Sequence, residues 1–271
     1  MSKRQRFVIV TLILLAGIIL SRAGLGVVLQ WRFRVVAFSL LSVLASIWAI
    51  RDEDFNGVEW LTLPILPSLF AIGSLLVFPL IPMSLGDGGD SSLLLATALQ
   101  VFFLAIFVVG YYAALLTTNI YNVAAIRTIQ LLRVAHSIGF LVTVAAALLL
   151  FIVIFSLHLS SFLNFISVFV ISGLLSFQAI WSINLEEKVS SSTRNFSFAT
   201  AVILGEVAWV LSFWPVVASI FALFLTAIFY ELVGIIQFHL GEKLNRRIVN
   251  EFVIVAVIVF LLTLFTTQWG A

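Results

Sequence analysis

The chain has 271 residues, 63% of them hydrophobic and 10% charged, where a soluble domain carries roughly 45–50% and about 25%. That balance excludes a water-soluble fold. The net charge of +2 comes from fourteen basic residues scattered between apolar runs, without the basic stripe that binds nucleic acid. Cysteine is absent, which excludes disulfides, thiolate metal sites and cysteine nucleophiles.

A hydrocarbon core of about 30 Å needs about 20 apolar residues per helical span, and the chain is best counted in such units. The N-terminus, Lys3-Arg4-Gln5-Arg6 before an uncharged run and then Ser21-Arg22-Ala23, has the three parts of a secretory signal peptide. The preferred reading is an uncleaved first span over about 7–29, followed by spans over about 35–50, 60–82 and 92–116. Beyond the middle of the chain come spans over about 138–157, 162–183, 196–213, 216–238 and 248–267. Trp214-Pro215 is so short a turn that the spans flanking it must pack antiparallel.

Between the fourth and fifth spans the sequence TTNIYNVAAIRTIQLLRVAHS is neither a clean span nor a turn. Asn119, Asn122, Gln130, Arg133 and Ser137 project within about 60° of a common direction on a helical wheel, which predicts an amphipathic surface helix over about 119–133. The expected fold is all-α, a single integral membrane domain over residues 1–271. It is a polytopic bundle of about nine spans, or eight if the N-terminal segment is cleaved, with the surface helix near the middle.

Orientation follows from charge. With the N-terminus inside, Lys3, Arg4, Arg6, Arg51, Arg127, Arg133, Lys188, Arg194, Lys243, Arg246 and Arg247 fall on the cytoplasmic side and only Arg22, Arg32 and Arg34 outside. Six of the seven tryptophans fall at predicted membrane boundaries in the same register, Trp181 among them, and Trp209 sits inside a span. The C-terminus is then outside, and the cytoplasmic membrane is the expected location. The halves on either side of the fifth span have opposite orientations, as in inverted-repeat transporters, but no sequence match links them.

Few residues suggest chemistry. Asp52-Glu53-Asp54-Phe55-Asn56-Gly57 begins like a calcium loop, but the twelfth position is Leu63 where that loop needs a bidentate glutamate, so a solvated turn is preferred. Pro64, Pro67, Pro79 and Pro82 are read as marking the ends of the third span rather than a broken, site-lining helix. His136, His158 and His239 lie near span ends with no metal-binding spacing, and no metal or cofactor is expected. Arg22, Arg32 and Arg34 flank a short apolar segment on the outer face, where clustered guanidinium groups suit phosphate or a lipid headgroup. Snorkelling of the same three side chains to the headgroup region is the plainer account.

Glu206 and Glu231 carry the sharper signal. A carboxylate near the membrane centre costs about 2.5–3.5 kcal/mol to insert on the milder scales, so it faces a partner, a cavity or a proton path. Gln100 lies at about the depth of Glu206 and is the expected partner. No catalytic motif occurs, and the leading expectation is a non-enzymatic structural, accessory or binding subunit in contact with the lipid bilayer and with a protein partner or further copies of itself. A permease-like, proton-coupled transporter using Glu206 is the alternative, and it requires Glu206, Glu231, Gln100 and Gln178 to meet in one cavity. A lipid-active enzyme using the outer arginines is the third reading.

Overall fold

Long runs of Leu, Val, Ile, Ala and Phe offer the backbone no water, so its amides and carbonyls close on one another within each segment, as helices. In a computed structural model the described residues are 2–22, 31–51, 58–84, 90–124, 130–185 and 188–267. Among them every regular element is helical: α1 (Lys3–Arg22), α2 (Trp31–Ile50), α3 (Glu59–Thr62), α4 (Ile65–Val77) with a 3-10 turn (Phe78–Leu80), α5 (Asp90–Ala124), α6 (Leu132–Ser156), α7 (Ser161–Asn184), α8 (Ser191–Leu211), α9 (Ala218–Leu240) and α10 (Arg246–Thr266). The residues Asp52, Glu53 and Asp54, the loop glycines Gly86, Gly88 and Gly89, and Arg127 lie outside the described set.

Among the described residues eight segments are long and apolar enough to cross a membrane, the third of them made of α3, α4 and the 3-10 turn together. Helix α8 is not among the eight, because Arg194, Asn195 and Glu206 dilute its apolar surface. Its 21 residues still reach about 31 Å at 1.5 Å per residue. They run antiparallel along the whole of α7: Ser176 Oγ donates to the Ser197 carbonyl at 3.4 Å, and Asn164 Nδ2 donates to Ser212 Oγ at 3.0 Å. A membrane helix bundle with α8 as an additional through-running helix is the architecture.

The centre of the bundle is the pair α4 and α6. Pro64 and Pro67 sit at the start of α4 and Pro79 in the 3-10 turn, so the helix between them is 13 residues long and buries nine of them, including Leu66, Phe70, Ala71 and Leu75. Gly73 makes the closeness of the pair achievable, since a Cβ there would lie 3.1 Å from Leu149 Cβ and 3.2 Å from Leu150 Cγ of α6. Helices α1, α2 and α5 pack around α4, and α7 and α9 around α6, while α10 lies at the rim on α9. Of α10, Phe252 and Thr263 are the buried residues.

The most extensive helix pair, α7 with α8, sets a stripe of small residues on α8 against α7. Ser197, Ala201, Gly205 and Ala208 of α8 are buried, with Ala201 beside Gly173 of α7, Gly205 against Phe165 and Phe169, and the Ser197 carbonyl accepting from Ser176. In hydrocarbon there is no hydrophobic gain from covering one helix with another, so association depends on close backbone approach and dispersion, and small side chains permit both.

The surface helix expected over about 119–133 is not present among the described residues. Residues 119–124 are the end of α5 and residues 132–133 open α6, with 125–129 outside the described set. Of the polar residues expected on a solvated face, Asn122 is buried and Asn119 half-buried, while Gln130, Arg133 and Ser137 are exposed; the neighbouring Thr117, Thr118 and Tyr121 are buried. Trp181, expected at a membrane boundary, lies three residues from the end of α7, with its side chain buried in the bundle and 2% of its surface exposed.

Gly139 of α6 faces Tyr121 and Thr117 of α5 so closely that an added Cβ would overlap the tyrosine hydroxyl and lie 2.9 Å from Thr117 Cγ2. Overpacking at such a site costs roughly 1–3 kcal/mol. Gly139→Val is therefore expected to lower the melting temperature of the purified protein clearly, whereas Leu94→Val, at an exposed position on α5, leaves it unchanged; equal melting of the two variants would contradict this packing.

Candidate functional site

The two ends of the bundle are each tied by side chains reaching backbone carbonyls. At the end carrying Arg22, its Nη2 donates to the Ile81 carbonyl at 2.7 Å and its Nη1 to the Phe78 carbonyl at 3.3 Å, with the guanidinium 5.2 Å from the centre of the Phe78 ring. Arg34 Nη1 donates to the Ser21 carbonyl at 3.1 Å, and Gln100 Nε2 to the Pro82 carbonyl at 3.1 Å. These carbonyls lie at or just beyond helix ends, where the intrahelical ladder leaves acceptors free. The charges of Arg22 and Arg34 are thus directed inward at helix termini rather than outward at a phosphate. Arg34 Nε is buried without a partner among the described residues, and the Arg32 side chain falls outside them.

The opposite end carries Lys3, Arg6 and Arg51. Lys3 Nζ donates to Asn119 Oδ1 at 3.3 Å, and Arg6 Nη1 donates to the Arg51 carbonyl at 3.2 Å and the Trp48 carbonyl at 3.4 Å. Next to these bonds four helices are joined: Tyr121 of α5 donates to the Ala135 carbonyl of α6 at 3.1 Å, His136 Nε2 of α6 donates to the Ser182 carbonyl of α7 at 2.7 Å, and Gln237 Nε2 of α9 donates to the Ala179 carbonyl of α7 at 3.1 Å. The Tyr121 and His136 rings lie 5.6 Å apart. Sequence reasoning missed this group, because Tyr121 and Asn122 fell in the stretch assigned to the surface; the one signal available was that the stretch is too apolar for a solvated loop.

The intramembrane candidates do not converge. Glu206 lies on the exposed face of α8, beside the exposed Trp209 and Val210, with no hydrogen bond among the described residues. Gln100 bonds the Pro82 carbonyl rather than Glu206. Gln178 is buried within α7 with its Oε1 unpartnered.

Glu231 is different. It is partly buried on α9, and its Oε1 is fully enclosed without a hydrogen-bond partner among the described residues. It is among the residues that line a groove of about 330 Å³ between α9 and α10, whose surface is otherwise apolar, with Phe224, Ala227, Ile228, Ala256 and Phe260. Phe224, Ala227, Ile228 and Glu231 share one face of α9 at the helical spacing of three and four. Among the described residues no group of His, Asp and Glu could hold a metal ion.

A family model described as "Protein of unknown function (DUF5656)" matches residues 15–266. The chain belongs to DUF5656. No curated protein and no solved structure matches it. In this DUF5656 protein the matched residues run from within α1 to the last turn of α10, so the α9–α10 groove and the Arg22 end both lie inside the family's shared region, while Lys3 and Arg6 precede it.

Hydrogen bonds from a charged donor contribute about 1.5–3 kcal/mol. Arg22→Met keeps the apolar stem and removes both carbonyl bonds, so it is expected to destabilise the DUF5656 protein by about that amount in a thermal melt, with phospholipid retained by the purified protein unchanged. Normal stability together with a loss of bound phospholipid would instead make Arg22 a headgroup ligand.

Proposed function

We propose that this DUF5656 protein is a non-enzymatic binding or accessory protein of the cytoplasmic membrane, with its N-terminus inside and its C-terminus outside. The observation that carries this reading is the separation of the polar side chains. A proton-coupled permease needs a continuous polar path, yet Glu206 is on an outward face, Gln100 is bonded to a loop carbonyl, Gln178 is inside α7 and Glu231 is in an apolar groove. Likewise a lipid-active enzyme would need free guanidinium groups on the outer face, and Arg22 and Arg34 donate to helix-end carbonyls.

The orientation rests on the charges. Lys3, Arg6, Arg51, Lys188 and Lys243 collect at one end of the bundle, as the positive-inside rule requires of the cytoplasmic side. Met83 and Ser160 are exposed at the other end, and Ser191 and Lys243 at the first. Because the chain has no cysteine, Met83→Cys and Ser160→Cys are expected to react with an impermeant maleimide on intact cells, and Ser191→Cys and Lys243→Cys only after permeabilisation. The reverse pattern overturns the orientation.

Transport is tested separately. Proteoliposomes containing the purified protein and an internal pH dye are expected to show no protein-dependent proton movement when a pH gradient is imposed. A flux that disappears in Glu206→Gln or Glu231→Gln would replace the binding role with the permease.

A further inference from the structure

Along the middle of α5 and α10 the exposed side chains are of the kind that lipid tails accept, Val101, Phe102 and Val109 on the one and Val257, Ile258 and Leu261 on the other. The exposed arc of α8 is different. Asn195, Ala199 and Glu206 lie within about 20° of one direction on it at 100° per residue, and all three are exposed. Glu206 is five residues from Leu211 and fifteen from Ser191, the ends of α8, or about 7.5 Å and 22 Å along the helix at 1.5 Å per residue. An ionisable side chain within a span almost always faces the bundle interior, a water-filled cavity or another such group. Among the described residues of one bundle Glu206 meets none of these. The neighbouring Gly205 is packed against Phe165 and Phe169 of α7, and Leu204 and Ala208 are buried, so the side chain of Glu206 is left on the outside.

The same arc has the spacing of a helix-pairing seam. Ser192, Asn195, Ala199, Val202, Glu206 and Trp209 follow one another in alternating steps of three and four residues, and none of them is buried. That is the repeat by which two helices interlock at a crossing angle of about +20°. Ala199 leaves room for a second backbone to come close. One flank of the seam is already held in place by ring contacts, Trp209 with Phe165 at 5.6 Å, Phe165 with Phe169 at 6.0 Å and Phe169 with Phe198 at 5.9 Å. What the seam pairs with follows from its polar members. Copies of one chain insert in one orientation, so a two-fold axis along the membrane normal sets each residue at the depth of its own counterpart. There a side chain that both donates and accepts complements itself. The amide of Asn195 does so, and two carboxyl groups do so when they share a proton, one O–H donating to the other's oxygen. We infer that α8 is the contact through which two copies of this protein pair in the membrane, with Glu206 hydrogen-bonded to the partner subunit's Glu206. This goes beyond the accessory role proposed above and does not rest on it.

Because the chain has no cysteine, single cysteines report the contact directly. A disulfide needs Cβ atoms about 3.5–4.5 Å apart, so full-length Ala199→Cys, oxidised with copper phenanthroline in native membranes, is expected to form a covalent dimer. Leu94→Cys of α5 and Ile258→Cys of α10, at exposed positions on other faces, should not. The wild-type protein, carrying one fluorescent-protein tag and diluted into liposomes, should bleach in two steps. Glu206→Gln keeps a donor and an acceptor and should retain the pairing, whereas Glu206→Leu should raise the dissociation constant of the dimer about threefold to tenfold, the worth of interhelical polar contacts in a bilayer. Glu206→Lys should pair poorly with itself and well with the wild type. Cross-linking no stronger at Ala199 than at Leu94 or Ile258, or unchanged dimerisation in Glu206→Leu, overturns the assignment. So does a wild type that bleaches in single steps, which would leave the α8 face to a helix of another protein. The cross-linking comparison keeps Glu206 in place and does not depend on how its variants fold. Proton flux in the proteoliposomes would remove the non-transporting role and leave the pairing standing, whereas a monomeric wild type would remove the pairing and leave that role untouched.

Discussion

Hydrocarbon supplies no hydrogen bonds, and most of what distinguishes this bundle from a stack of apolar helices follows from that. Within a helix the backbone satisfies itself, but each terminus leaves carbonyls exposed. Here the long polar side chains are drawn to carbonyls at or near those termini: Arg22 to Phe78 and Ile81, Arg34 to Ser21, Gln100 to Pro82, and Arg6 to Trp48 and Arg51. Hydroxyls in the interior obey the same rule at shorter range, as Ser46, Thr143 and Ser172 each donate to a carbonyl of the preceding turn. A polar residue in this sequence is therefore more often a fastener than a site. Guanidinium groups that look like phosphate ligands when read along the chain turn inward once the helix ends are placed around them.

Packing obeys the second consequence of the same solvent. Lipid tails are as apolar as leucine, so helices gain by approaching closely rather than by leaving the solvent. The short α4 illustrates this, because its proline-limited length brings five neighbouring helices against it and Gly73 lets α6 approach its backbone. Helix α8 illustrates it from the other side. It is less apolar than the rest, yet its buried Ser197, Ala201, Gly205 and Ala208 make it the partner in the most extensive helix pair. Apolarity governs whether a segment enters the membrane; small residues govern what it lies against.

That division explains how much could be read from the sequence. The helical bundle was legible, because span length and composition depend on the local chain alone. The proline positions were legible too, since an absent amide acts within a turn of its own residue. The segment from Asn119 to Asn122 was misread because helical periodicity separates a polar face from an apolar one without saying whether the polar face meets water or another helix. Tyr121 and Asn122 meet helices. Trp181 does lie near the end of α7, but its side chain faces other helices rather than lipid. The pairing of Glu206 with Gln100 failed because depth along the membrane normal fixes only one of three coordinates.

The same limit separates the two glutamates. Along the chain Glu206 is the more conspicuous, with Gly205 beside it and Ala208 nearby to admit a neighbouring helix. In the bundle Gly205 and Ala208 do admit one, α7, and that is what turns Glu206 outward, since residues packed on α7 leave the opposite arc of α8 to the surroundings. Glu231 has no such neighbours in sequence, but its arc of α9 meets α10 across Ala256, where two small side chains, Ala227 and Ala256, leave a space unfilled. The Glu231 oxygen Oε1 is sealed beside that space without a donor among the described residues, and the groove surface itself is almost wholly apolar.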